Sequence, residues 1–153
     1  LILYRSRAAI DLSAEQLTKI ASVSAEKNKR LSITGFLVEF DGLFLQALEG
    51  PDQAVEALMM QIERDSRHRE VRTLLARTVS GRQFGFWGMN WGPLSDPQFR
   101  SAALGGELTY DEFIGRTDDP SFVHQVLFRS YLHALDLAKG NAAAREAVVG
   151  GLV

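Results

Sequence analysis

Two runs rich in branched and aromatic residues, LSITGFLVEF and LFLQALEG, meet at Asp41-Gly42. An Asp-Gly pair accepts the positive φ angles that a two-residue hairpin loop demands, so the dipeptide predicts two antiparallel strands joined by a tight turn. Side chains alternate along a strand, which places Phe44, Gln46 and Leu48 on one face. A glutamine then stands where a core residue is expected.

The elements around the hairpin narrow the fold. LILYRS at the N-terminus reads as a strand, and Ser13 followed by Gln16 predicts a capping box for a helix through DLSAEQLTKIASVSAEKNKR, with Leu17, Ile20, Ala21, Ser24 and Asn28 at helical spacing. After Gly50-Pro51, Asp52 is expected to cap a second helix, QAVEALMMQIERD, whose Val55, Leu58, Met59 and Ile62 form one stripe. EVRTLLARTV is a further strand candidate and RQFGFWGMNWG the last one. The order βαββαββ implies an α+β fold, a ferredoxin-like sandwich with two helices on one face of a mixed sheet. Residues 1–92 would form that unit and residues 93–153 a connector with a C-terminal helical extension. The connector, SDPQFRSAALGGELTYDEFIGRTDD, is expected to carry at most one short helix. Asp119-Pro120 starts a helix running to about Gly140, with Phe122, Val123, Val126, Leu127, Tyr131 and Leu135 on the stripe that would cover the opposite sheet face. NAAAREAVVGGLV is an ambiguous tail for which disorder is the reading considered.

Charge and composition exclude several classes of function. The chain has 153 residues, enough for one domain with a core, and its 17 basic and 19 acidic residues are interspersed, which argues against nucleic acid as a partner. Cysteine is absent, so disulfides, thiolate zinc sites and a cysteine nucleophile are excluded; no metal site is expected, and a reducing cytoplasm fits. No apolar run approaches the ~20 residues of a membrane span, and no signal peptide is read.

The glutamine has polar company. Ser24 and Asn28 continue the apolar stripe of the first helix, and Tyr4 on the first strand carries a hydroxyl inward. Unpaired buried amides and hydroxyls cost roughly 1–3 kcal/mol each, so several of them facing one helix–sheet gap require one another or a polar guest. A planar heteroaromatic guest suits such a gap. Each residue also has a plain structural reading: Gln46 as a solvent-facing strand residue, Asn28 as a helix C-cap, Tyr4 as a core tyrosine, Trp87 and Met89 as sheet packing, and RDSRHRE as a solvated helix end.

Taken together, YRS, the asparagine ending the first helix, ITGFLVEFDGLFLQALEG, IERDSRHREV and RQFGFWGM resemble the BLUF family of blue-light sensors in order and spacing, over roughly residues 1–92. The resemblance implies noncovalently bound flavin, FAD as usual in the family, with FMN as the alternative. It matches Tyr4 to a redox tyrosine and Gln46 to a switching glutamine between the phenol and the flavin N5 and C4 carbonyl. Ser24, Lys27, Asn28, Asp65, Arg67 and His68 match positions around the isoalloxazine and ribityl chain, and Trp87 and Met89 a pair on the last strand linked to signal output.

By the same resemblance, blue light moves an electron and then a proton from Tyr4 through Gln46, and their return leaves the amide rotated or tautomerised with a red-shifted spectrum. The signal would pass through the last strand and the C-terminal helix to a separate partner protein, and a homo-oligomer is left open. Three other readings are weighed. An acylphosphatase-like enzyme on the same fold would use Arg5 or Arg7 with Asn28, but no phosphate loop or nucleophile–base motif accompanies them. A flavin-dependent oxidoreductase would need room for substrate over the ring. A light-insensitive flavin-binding interaction module would act through its exposed C-terminal surface, with its flavin vestigial.

Overall fold

The computed structural model describes residues 1–85, 91–106 and 108–150, with residues 142–150 described by backbone alone. Among the described residues five strands form one sheet: β1 (Ile2–Ala8), β2 (Thr34–Phe40), β3 (Leu43–Glu49), β4 (His68–Ala76) and β5 (Trp91–Pro93), in the order β4-β1-β3-β2-β5. The first four pair antiparallel, and β5 lies parallel to β2 at the edge. With the helices α1 (Ala14–Arg30) and α2 (Asp52–Arg64), this is the expected ferredoxin-like sandwich.

The hairpin forms as its dipeptide predicts. Asp41 and Gly42 both have positive φ, 50° and 73°, and Phe40 faces Leu43 across the turn. That register is carried inward, setting Gln46 between Leu37 on β2 and Tyr4 on β1. Gly35 makes the β2–β3 approach possible, because a Cβ there would lie 2.1 Å from the carbonyl oxygen of Ala47.

Helix α1 begins with the predicted capping box, Ser13 and Gln16 each bonding the other's backbone N–H. The second helix differs in its start. Pro51 is the N-cap of α2 and no side chain caps it, so Asp52 falls in the first turn, where its charge still complements the helix dipole. Val55, Leu58 and Met59 are buried as the stripe requires.

The connector holds two helices where at most one was expected: α3 (Pro97–Leu104), capped by Asp96, and α4 (Tyr110–Gly115), started by a Thr109–Glu112 capping box. Their short, turn-flanked sequences hide a helical period. Only two caps and the contacts of Phe99, Ala103 and Phe113 with the core reveal them. α5 runs Pro120–Gly150, past the expected end near Gly140, through an alanine-rich stretch of high helix propensity. The last strand is shorter than RQFGFWGMNWG suggests: residues 82–85 are outside it, and Trp87 and Met89 lie outside the described residues.

The two sheet faces are covered as expected. Phe122, Val123, Val126, Leu127 and Tyr131 of α5 pack with Leu3, Phe36, Val38, Leu45 and Ala47 in the main core. On the other face Tyr4, Ile33 and Leu48 join Val55, Leu58 and Met59 of α2 in a smaller cluster. Among the described residues no helix is long and apolar enough to cross a membrane.

Candidate functional site

Where the small cluster ends, α1 stands off the sheet. A cavity of about 510 Å³ opens between α1, α2 and the sheet, within the size range of small-molecule and cofactor sites. Tyr4, Ser24, Lys27, Asn28, Gln46, Asp65, Arg67 and His68 all line it, so every candidate site residue inside the described segments meets at one place.

The center of the wall is a tyrosine–amide pair. Tyr4 and Gln46 are cross-strand partners on β1 and β3, and the Tyr4 hydroxyl donates to Gln46 Oε1. Burial holds the Tyr4 phenol far above its ordinary 10.0, so it is a firm proton donor at neutral pH. With Oε1 engaged, the Nε2 donors are the end of the amide left for another acceptor.

Further polar groups ring the cavity. The Asn28 side chain lines it uncommitted to any neighbour among the described residues, while its backbone carbonyl ends α1 by accepting from Leu31 and Ile33. The C-cap of α1 is Leu31, so the plain reading of Asn28 as a helix cap does not hold. Ser24 lies one turn earlier on the same wall, and Lys27 spans the rim, its Nζ donating to Gln61 Oε1 of α2 at 2.7 Å.

On the far side, Arg67 grips Asp65 through Nε and Nη2, the shortest contact being 2.6 Å. The hydrogen bond from Arg67 pushes the Asp65 carboxyl down to about 2. His68 is half-buried, 2.9 Å from Ser6 Oγ through Nδ1 and 5.7 Å from the Phe44 ring, and loss of solvent lowers its pKa, favouring the neutral imidazole.

Sequence reasoning missed several wall residues. Ser6, two positions beyond Tyr4 on β1, was missed as well; it stands behind the wall and holds His68 through Nδ1, and strand alternation alone could have put it on that face of the sheet. Thr34 opens β2 and Gln61 shares a side of α2 with Leu58 and Ile62; both carry ordinary sequence signals that only the cavity makes meaningful.

Apolar walls, an amide with no partner among the described residues, a tyrosine–glutamine pair and an ion pair at the edges are those of a ligand-binding domain, and they suit a ligand rich in hydrogen-bonding groups. Comparison makes this specific. A model of the family described as sensors of blue-light using FAD, BLUF, matches residues 1–90, and the chain belongs to that family. It is 37% identical over 82 residues to the photoactivated adenylate cyclase subunit alpha-like protein FB of Euglena gracilis, a match covering 54% of this chain and 8% of that protein. It is 31% identical over 88 residues to the blue light- and temperature-regulated antirepressor BluF of Escherichia coli strain K12, covering 58% of this chain and 22% of that one. The chain thus matches only a small part of the length of these relatives. Among solved structures, the dark state of BlrB, a BLUF protein, superimposes with a TM-score of 0.71 at 26% identity, over 86% of this chain and 94% of that one.

The family's domain is a photosensory module and not an enzyme, and its cofactor is FAD. The cavity fits that group. Ile20, Leu37, Phe44, Leu48 and Ile62 line it with apolar surface that would suit ring faces, and Asn28, Gln46, Asp65 and Arg67 line it with polar groups that would suit ring edges.

Proposed function

We propose that the chain senses blue light through flavin held in the α1–α2 cavity, with Tyr4 and Gln46 as the photochemical pair. The observation that carries this reading is the Tyr4 phenol donating to Gln46 Oε1 on the wall of a cavity of about 510 Å³. Bound FAD would supply the blue absorption and the acceptor for an electron. The protein does the rest.

Asn28, Asp65 and Arg67 would hold the polar edge of the ring, and Ser24, Lys27 and His68 would border it. Tyr4 would serve as the electron donor to the bound group; its phenol, made strongly acidic by that loss, would pass its proton along the existing hydrogen bond to Gln46 Oε1. The electron and proton return to Tyr4, and the Gln46 amide is left in a second hydrogen-bond pattern, with its donor and acceptor ends exchanged or tautomerised. No substrate is consumed.

Residues 1–92 then form the sensor and 93–153 a connector and helical extension that passes the change to a separate partner protein. Trp87 and Met89, which lie outside the described residues, are the proposed output pair. Adenylate cyclase and antirepressor relatives support an output of this kind, since their names join light to a regulated activity.

The test is the absorption spectrum of the purified protein, in darkness and under blue light. A flavin spectrum that moves reversibly to the red, with the shift abolished in Gln46→Leu, is the expected outcome. Colorless protein, or flavin that ignores light, would return the chain to the interaction-module reading.

A further inference from the structure

Gln46 and Glu49 lie three residues apart on β3, so they point to opposite faces. Gln46 lines the cavity, whereas Glu49 is 1% exposed beneath the α5 side of the sheet. Buried carboxyl groups need a reason. Glu49 Oε2 accepts the backbone N–H groups of both Gln83 and Phe84, each at 2.8 Å, while Oε1 has no partner among the described residues.

The same short segment is tied to the cavity wall and to α5. Arg82 donates from Nη1 to Thr34 Oγ1 at 2.7 Å and to the Glu49 carbonyl at 3.0 Å, and from Nη2 to the Ser32 carbonyl at 2.6 Å. Thr34 lines the cavity and faces Glu49 in the β2–β3 register. On the other side, His124 Nε2 of α5 donates to Gln83 Oε1 at 2.7 Å. The buried Phe84 ring stands 6.0 Å from Phe128 and 5.4 Å from Tyr131 of the same helix. One segment therefore touches the cavity wall, the switching strand and the extension.

We propose that Glu49 and the Arg82–Gln83–Phe84 segment form a clasp that couples Gln46 to the seating of α5, with Glu49 as the positioning residue. This rests on the reading that light rearranges Gln46. The physical device is the half-used carboxyl group: two N–H donors crowd one oxygen while the other is free to receive one of them. Two arrangements of segment 83–84 are thus available, and a small shift of β3 selects between them. A partner that reads the signal would meet it on α5 near His124, where Gln83 is exposed.

The experiment uses the full flavin-bound chain and follows two readouts, the red shift and peptide-level hydrogen exchange of residues 120–131 in darkness and in light. The parent is expected to shift and to change its exchange rate in α5 by about twofold or more on illumination. Gln83→Ala, an exposed residue outside the cavity, keeps the red shift and loses about half or more of the α5 change. Glu49→Gln, which replaces one acceptor oxygen by a donor, has the same effect; if it fails to fold, Gln83→Ala carries the test. Variants that shift normally and retain the full α5 response overturn the clasp, as does a parent that shifts with α5 unchanged. A parent without any red shift overturns the photoreceptor reading and the clasp with it.

Discussion

On the α5 face of the sheet, Leu3, Phe36, Val38, Leu45 and Ala47 meet Val123, Val126 and Leu127 with no residue more than 1% exposed, whereas on the α1–α2 face a small cluster around Tyr4 gives way to an open cavity. The same strands build both surfaces from alternate residues. One face carries stability through apolar burial; the other gives part of that burial up to hold a ligand. The contrast explains how amides and charges can be placed beside a sheet without unfolding it: the opposite face has already secured the strands.

Substitutions that remove volume test this asymmetry most severely. Leu127→Ala, fully buried on the α5 face, should cost about 2–5 kcal/mol in urea unfolding while a chain that still folds binds flavin normally. A cost near zero would break the comparison. Gly92→Ala comes next, because the new Cβ would lie 2.0 Å from the Phe99 ring, which is stacked on Phe36 at 6.5 Å and has little room to yield. Its expected cost is about 1–3 kcal/mol by the same measurement.

On the cavity side, Ile20→Ala trims a half-buried wall residue and should change the stability of the flavin-free chain by less than about 1 kcal/mol, with flavin affinity falling more than stability does. Titration of flavin into parent and variant separates the two effects. The smallest effect belongs to Asp65→Asn. Arg67 lowers the Asp65 carboxyl from 3.8 to about 2, so the pair contributes stability above pH 3.8 that is lost as the pH falls toward 2. Both groups are largely solvated, and the difference between parent and variant should be under about 0.5 kcal/mol at pH 6 and narrow across that acid window. A gap that widens on acidification would reverse the assigned sign.

Local chemistry made much of the fold legible. Asp41-Gly42 wrote the hairpin, Ser13 and Gln16 the start of α1, and Asp119-Pro120 the start of α5, since each signal acts within a few residues of itself. Tyr4, Asn28 and Gln46 stood out because polar groups interrupted apolar faces. The connector was misread for the opposite reason: α3 and α4 are short, and what holds Phe99 and Phe113 in place is the distant core rather than a helical period.

By itself, then, the sequence determined the order of elements in the sheet unit, the faces of β3 and the family, because turns, caps, alternation and a motif are all properties of neighbouring residues. Only the tertiary structure decided that β5 lies parallel to β2, that Ser6 meets His68, and that Glu49 is buried against Gln83 and Phe84. Those facts join positions 34 to 62 residues apart, and no local preference can specify a contact whose energy exists only after the sheet has closed.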